Sequence, residues 1–132
     1  MKPSAIIYTS KTGHTRQYAL LLGKEIGLPV YSYDEAISRL VGGSRVIYLG
    51  WIHASYVKGY SSAAKRFSVC AVCGVGLCDT GTLVPEVRKA TSIPEDIPLL
   101  YPVFLRKTPM RHETGALTFR YLICFPSDII FL

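Results

Sequence analysis

Short apolar segments rich in β-branched and aromatic residues alternate along the chain with segments that have the hydrophobic spacing of helices. Strands are predicted at residues 5–9, 30–33, 45–50, 67–74 and 99–105. Alternation on this scale is typical of βαβ units, in which helices cover both faces of a parallel sheet. The pattern therefore predicts an α/β fold, a single three-layer, doubly wound domain around a parallel five-stranded sheet.

Four helices are expected between these strands, because parallel neighbours need long crossover connections. In the first helix, Tyr18, Leu22 and Ile26 recur at i, i+4 and i+8 and so share one face. Gly27 is expected to cap this helix, and Pro29 prevents its continuation. The other helices are expected at residues 35–41, at the i, i+4 and i+7 positions Tyr60, Ala64 and Phe67, and at residues 85–90.

Prolines beside two of the predicted strands indicate which strands lie at the edges of the sheet. Pro29 opens the second strand, whereas Pro98 and Pro102 fall at the start and in the interior of the fifth. Proline has no N–H group to donate to a neighbouring strand, so such strands belong at edges. The second and fifth strands are the edges in the doubly wound order 2-1-3-4-5. We therefore expect that strand order.

The composition agrees with one globular domain spanning residues 1–132. Its residues are 49% hydrophobic, which is enough to build a core, and no stretch is apolar for long enough to cross a bilayer. The start of the chain lacks the pattern of a secretory signal, so we expect a cytoplasmic protein with reduced cysteines. Fifteen Lys and Arg against nine Asp and Glu give a net charge of +6. These charges are scattered without a basic stripe, so no nucleic-acid partner is expected.

The turn between the first strand and the first helix carries the clearest chemical pattern. Its sequence is Thr9-Ser10-Lys11-Thr12-Gly13-His14-Thr15. Hydroxyl side chains alternate there with a glycine at the start of a helix, where free N–H groups carry partial positive charge. A helix cap alone needs only one such hydroxyl. The pattern therefore predicts an anion site.

Several phosphate-binding motifs are excluded by the residues themselves. The chain contains no G-x-x-x-x-G-K-[ST] sequence, and the turn has one glycine where a G-x-G-x-x-G fingerprint needs three. No cysteine is followed by an arginine six positions later, as a cysteine phosphatase requires.

The segment Ser10-Lys11-Thr12-Gly13-His14-Thr15 is similar to the [TS]-x-T-G-x-T phosphate loop of the flavodoxin-like family. Val46 to Trp51 resembles that family's third strand and the start of a flavin-contacting loop, and Gly74 to Asp79 resembles the loop after its fourth strand. The resemblance covers about residues 4–105. It implies a flavodoxin-like fold and FMN as the cofactor.

The resemblance also assigns expected roles to residues. Ser10, Thr12, Gly13, His14 and Thr15 would bind the FMN phosphate, and Lys11 would point to solvent or offer a screened charge. The isoalloxazine ring would lie between two loops, one with Trp51, Ile52, His53 and Ala54, the other with Gly76, Leu77, Cys78 and Asp79.

The function implied is electron transfer with a redox partner protein or a small-molecule acceptor. Two alternatives stay open. Gly50-x-x-His53-Ala54 followed by Lys58 is similar to protoporphyrinogen oxidases of this fold, although the short 79–98 segment leaves little room for the insertion that they carry. The other alternative is a binding module of the same fold without flavin, since Leu77 stands where a second aromatic residue is common.

Two further features carry smaller expectations. Cys70-Ala71-Val72-Cys73 has C-x-x-C spacing but lies inside a predicted strand, so buried free thiols on opposite faces are expected rather than a redox pair or a zinc site. Residues 106–132 are locally basic, with a last helix expected at Leu117, Tyr121 and Cys124 before an irregular tail. This segment could dock on the sheet or contact a membrane surface.

Overall fold

The computed structural model describes residues 3–11, 13–75 and 84–100. The described part of the chain forms an α/β fold with four helices and a mostly parallel sheet, which confirms the predicted class. In chain order the elements are β1 (Ala5–Thr9), α1 (His14–Ile26), β2 (Val30–Ser32), α2 (Tyr33–Arg39), β3 (Arg45–His53), β4 (Tyr56–Val57), α3 (Tyr60–Arg66), β5 (Ser68–Val75), α4 (Val84–Thr91) and β6 (Leu99–Leu100).

The parallel strands lie side by side in the order β2-β1-β3-β5-β6. Thr9 at the end of β1 is opposite Gly50 of β3, which is in turn opposite Gly74 of β5. The expected order 2-1-3-4-5 is therefore confirmed in part. The sequence pattern does not predict β4, which pairs with β3 in the antiparallel direction.

Prolines precede both outer strands of the described sheet, as expected. The Ile6 N–H donates to the Pro29 carbonyl oxygen at 2.9 Å, and the Val72 N–H donates to the Pro98 carbonyl oxygen at the same distance. Each proline thus accepts a hydrogen bond from the inner neighbour and stands just before its strand, where its missing N–H interrupts no hydrogen bond within the strand. Pro102 and the rest of the strand predicted to reach residue 105 lie outside the described residues.

Helices cover both faces of the sheet. Ile6 and Ile7 are both fully buried, and alternation along β1 sends them to opposite faces. Ile6 belongs to a cluster with the buried residues of α1, whereas Ile7 belongs to a cluster with Ala36 of α2, Ala63 of α3 and Val87 of α4. The middle of β1 is therefore packed between helices on both faces of the sheet.

The second helix begins two residues earlier than predicted. The Ser32 Oγ accepts the Glu35 N–H at 3.2 Å, and the Glu35 Oε1 accepts the Ser32 N–H at 2.9 Å. This reciprocal pair is a capping box, which fixes the start of a helix. The predicted second strand therefore stops at Ser32, and α2 begins at Tyr33.

The third helix turns a different face to the sheet than its predicted i, i+4 spacing implies. Ala63 is fully buried and Ala64 is exposed, while Tyr60 and Phe67 are buried as expected. The helix ends at Arg66 and so has only two turns. Over that length, residues spaced i and i+3, such as Tyr60 and Ala63, share a face as well as residues spaced i and i+4.

Cys70 and Cys73 are buried free thiols, as predicted, but the expectation that they face opposite ways is wrong. Val46 pairs with Val69 and Ile47 pairs with Ala71, so Cys70 is an extra residue at a bulge in β5. The bulge shifts the alternation by one position. Both cysteines consequently lie in the cluster on the α1 face, where burial raises the pKa of Cys73 to about 12.

The last predicted helix, with Leu117, Tyr121 and Cys124, and the rest of residues 106–132 lie outside the described residues.

Candidate functional site

The turn between β1 and α1 is shaped by Gly13. This residue is left-handed, with φ 98°, and it is the N-cap of α1. Its N–H donates to the Ser10 Oγ at 3.0 Å, which closes the turn on itself. Gly13 is thereby held close to Ser10, and α1 begins at His14.

The two βα turns of the first half of the chain differ in how their helices begin. The N-terminus of α2 is closed by the capping box of Ser32 and Glu35, and Asp34 and Glu35 lie in its first turn. In the described residues α1 has no side-chain cap, and its first turn contains no acidic residue. The first N–H groups of a helix have no partner within it and attract negative charge. Of these two N-termini, that of α1 is thus the one without a side-chain cap or an acidic first turn, which favours an anion there.

Thr15 adds a buried hydroxyl to this N-terminus. Only 2% of its surface is exposed, and no hydrogen bond joins its hydroxyl to another described residue. Leaving a buried hydroxyl without a partner costs about 1–3 kcal/mol. An acceptor bound in the turn would satisfy it.

Lys11 brings the turn and the end of β3 together. Its Nζ lies 5.4 Å from the centroid of the Trp51 ring, and the Lys58 Nζ lies 5.9 Å from the same centroid. Both distances are within the range of cation–π interactions. Two of the three segments predicted to contact FMN therefore meet, and Lys11 is not simply a solvated charge.

The predicted loop after the third strand is a β-hairpin. β3 extends to His53, beyond its predicted end at Gly50, because Ile52 and His53 pair with Val57 and Tyr56 of β4. Val57 is buried, and Ile52 packs against the core cluster on the same side. This inner side fixes the hairpin to the domain.

The opposite side of the hairpin, which we call the outer face, carries Trp51, His53, Tyr56 and Lys58. His53 lies opposite Tyr56, and the Lys58 N–H donates to the Trp51 carbonyl oxygen at 2.9 Å, so alternation brings all four side chains to one side. The Trp51 and His53 rings meet edge to face with centroids 5.4 Å apart. Aromatic and basic groups thus cluster beside the anion-binding turn.

The hairpin turn has an unusual backbone. Ala54 and Ser55 have φ values of 51° and 69°, as the central residues of a type I′ turn require. Residues with a Cβ pay about 1–2 kcal/mol for this conformation. Thr91 at the end of α4 supports it, since the Val57 N–H donates to the Thr91 Oγ1 at 3.1 Å and that oxygen lies 3.5 Å from the Ser55 carbonyl oxygen.

Tyr48 links the hairpin to the end of β1 through its hydroxyl group. Its buried hydroxyl lies 2.7 Å from the Thr9 Oγ1 and 2.5 Å from the Lys58 carbonyl oxygen. Both contacts are satisfied when the Tyr48 O–H donates to the carbonyl and its oxygen accepts the Thr9 O–H. Burial raises the pKa of Tyr48 to about 12, so this proton is held throughout the neutral range.

A cavity of about 460 Å³ opens on the β2 side of the turn. Ser10, Gly13 and Arg16 line one wall, and Tyr33 and Asp34 line another. The turn is therefore accessible from this side, and Arg16 adds a positive charge close to it.

No protein-family model, curated protein or solved structure matches this chain. Within residues 3–11, 13–75 and 84–100, no helix is long and apolar enough to cross a membrane, and no group of three or more His, Cys, Asp or Glu side chains could hold a metal ion.

The residues predicted to bind FMN divide into three sets. The turn contains Ser10, Lys11, Gly13, His14 and Thr15. The hairpin carries Trp51, His53 and Ala54 on its outer face or tip, whereas Ile52 packs inward. Outside the described residues lie Thr12, Gly76, Leu77, Cys78 and Asp79.

Sequence reasoning missed Tyr48, Thr91 and Arg16 as parts of this site. Tyr48 and Thr91 are buried in regular elements, and nothing in the sequence distinguishes them from other core residues. Only the structure relates Tyr48 to Gly59, where an added Cβ would overlap the Tyr48 hydroxyl and lie 2.9 Å from the Thr9 Oγ1.

Proposed function

We propose that this chain is a flavodoxin-like redox protein that binds FMN without a covalent bond. The observation that carries the proposal is the buried Thr15 hydroxyl, which lacks a partner among the described residues at an uncapped helix N-terminus. This arrangement fits a phosphate group, which accepts hydrogen bonds from hydroxyl and N–H donors. The family membership and the flavodoxin-like strand order 2-1-3-4-5 are parts of the same proposal.

The phosphate would be bound in the β1–α1 turn. Thr15 offers its hydroxyl, and the backbone N–H groups of Thr15 and Arg16 in the first turn of α1 are further donors. Arg16 in the first turn and Lys11 in the preceding turn balance the negative charge. A Cβ added to Gly13 would meet nothing within 4 Å, so the backbone there is open to close approach by a ligand.

The flavin ring would lie against the hairpin beside Trp51. The Lys11 side chain extends from the turn to the Trp51 ring. A ligand with a phosphate at one end and an aromatic system at the other would lie alongside it. Gly76, Leu77, Cys78 and Asp79 remain the proposed contacts on the far side of the ring.

Bound FMN would supply the electron-transfer chemistry, and the protein would bind and orient it and set its potential. The Lys11 and Lys58 ammonium groups beside Trp51 would stabilise negative charge on the ring and so favour its reduced form. A redox protein or a small-molecule acceptor would exchange electrons with it.

The proposal is tested by titrating the purified protein with FMN and with riboflavin, which lacks the phosphate, and following flavin fluorescence. We expect FMN to bind at least tenfold more tightly than riboflavin, a difference of about 1.4 kcal/mol. Thr15→Val should remove most of this difference, whereas Ser38→Ala on the exposed surface of α2 should leave it unchanged.

Absence of flavin absorbance together with absence of FMN binding would reject the proposal and favour the flavin-free binding module. Equal binding of FMN and riboflavin would show that the turn does not hold the phosphate. Turnover of a porphyrinogen with a quinone as acceptor would move the assignment to the oxidase alternative.

A further inference from the structure

The outer face of the hairpin leaves aromatic side chains exposed to solvent. Tyr56 is 54% exposed, and Trp51 is only half-buried. Alternation along β3 and β4 brings both rings to the same side, together with His53. Aromatic side chains that project from a small rigid hairpin are typical of the residues that dominate binding at protein interfaces.

Two ammonium groups flank this aromatic surface. The Nζ atoms of Lys11 and Lys58 both lie within 6 Å of the Trp51 ring centroid. No ion pair joins either group to a carboxylate in the described chain. Their charges are therefore available to a partner, and the net charge of +6 would attract a negatively charged one over a longer distance.

We propose that the outer face of the hairpin, together with Lys11, is the docking surface for a protein partner with an acidic surface. The partner's carboxylates would contact Lys11 and Lys58, and its apolar atoms would cover Tyr56 and the part of Trp51 that a bound flavin leaves exposed. Two lysines on a short hairpin do not form the continuous basic track that a single-stranded nucleic acid requires, so the charge pattern favours a protein.

Hydrogen bonds from the rest of the domain hold the hairpin backbone in place. Thr91 fixes the hairpin backbone at Val57, and Tyr48 fixes it at the Lys58 carbonyl. A preorganised surface loses little conformational entropy when a partner binds. The inference rests on the proposed function only for the role of the partner, which would exchange electrons with the flavin at the adjoining site.

The fluorescence of Trp51 can report binding at this surface, because Trp51 is the chain's single tryptophan. The flavin-free protein is titrated with polyglutamate at low ionic strength, and the fluorescence of Trp51 is recorded. We expect a saturable change that weakens as salt is added. Lys11→Gln and Lys58→Gln should each weaken binding at least threefold. The control Lys24→Gln removes the same charge from the last turn of α1, at the opposite end of that helix, and should change binding by less than twofold.

Three outcomes would overturn the inference. One is no saturable change in Trp51 fluorescence. Another is an equal loss of binding in Lys24→Gln, which would show attraction to the overall charge alone. The third is equally tight binding of an oligothymidylate of matched charge, which would show general polyanion binding. Circular dichroism of each variant confirms that it is folded, and since no flavin is present, failure here is distinct from failure to bind FMN.

Discussion

The hydroxyl oxygens of Tyr48 and Thr9 lie 2.7 Å apart although the two residues are 39 positions apart along the chain. Thr9 ends β1 immediately before the anion-binding turn, and the Lys58 carbonyl that Tyr48 also contacts follows the hairpin. One buried side chain therefore joins the two segments that form the candidate site. The relative position of Lys11 and Trp51 depends on this junction.

Tyr48→Phe should destabilise the protein by about 1–3 kcal/mol, because it removes both hydrogen bonds and leaves the Lys58 carbonyl without its donor. Urea unfolding followed by circular dichroism measures the change. The matched control is Tyr31→Phe, since Tyr31 in the edge strand β2 is only half-buried. Equal stability of Tyr48→Phe and the wild type would contradict the role given to this hydroxyl.

The same tyrosine predicts how stability depends on alkaline pH. Its pKa rises from 10.0 to about 12 on folding, so the folded state binds the proton more tightly than the unfolded state. This contribution is fully present below pH 10 and is lost as the pH rises towards 12, amounting to about 3 kcal/mol. Urea unfolding at a series of pH values should show a shallower decline in Tyr48→Phe than in the wild type. Burial also raises the pKa of Cys73 to about 12, so its contribution to stability is lost over an overlapping pH range. Both proteins are therefore best compared in a Cys73→Ala background.

Gly59→Ala tests the close approach of the hairpin's exit to Tyr48. Gly59 has φ 81°, and a Cβ there would overlap the Tyr48 hydroxyl and lie 2.9 Å from the Thr9 Oγ1. Gly43 has a similar φ of 87° but nothing within 4 Å, so Gly43→Ala carries the backbone cost alone. We expect a loss of about 1 kcal/mol for Gly43→Ala and about 3 kcal/mol or more for Gly59→Ala, measured by thermal unfolding. Similar losses in the two variants would show that the overlap is relieved by movement of Tyr48.

The sequence predicts the parallel strands and their neighbours well because local signals and edge prolines act together. Pro29 and Pro98 mark outer strands of the described sheet, and Gly27 ends α1 in the left-handed conformation expected of it. The capping box of Ser32 and Glu35 is also a local signal, and its S-x-x-E spacing would have placed α2 correctly.

The hairpin and the bulge could not be predicted in the same way. A type I′ turn is normally indicated by Asn-Gly or Asp-Gly, whereas here it contains Ala54 and Ser55, which are held by Thr91 from a distant helix. The bulge at Cys70 depends on pairing with β3. The contact between Lys11 and Trp51 likewise arises only when β1 and β3 become neighbours, since a local pattern contains no information about side chains 40 positions apart.

Thr91→Val should weaken the hairpin while preserving the shape of the side chain. The Val57 N–H is buried and would lose its acceptor, so we expect a destabilisation of about 1–3 kcal/mol. Trp51 fluorescence should also change, because the outer face moves with the hairpin. Thr91→Ser keeps the hydroxyl and should restore the Trp51 emission even if some stability is lost with the methyl group. A Thr91→Val variant with unaltered emission would show that α4 does not position the hairpin.

Ala54→Gly should stabilise the protein, in contrast to most substitutions that introduce glycine. The φ of 51° at Ala54 is strained for a residue with a Cβ, and glycine adopts it without cost. Glycine therefore removes the backbone strain of the folded state, but it also raises the entropy of the unfolded chain, which offsets part of this gain. We expect a net gain of about 0.5–1 kcal/mol. Ala64→Gly provides the opposite case, because Ala64 is exposed within α3 and glycine there should cost about 1 kcal/mol. Urea unfolding of the two variants should therefore give changes of opposite sign, and a loss of stability in both would show that the hairpin turn is not strained.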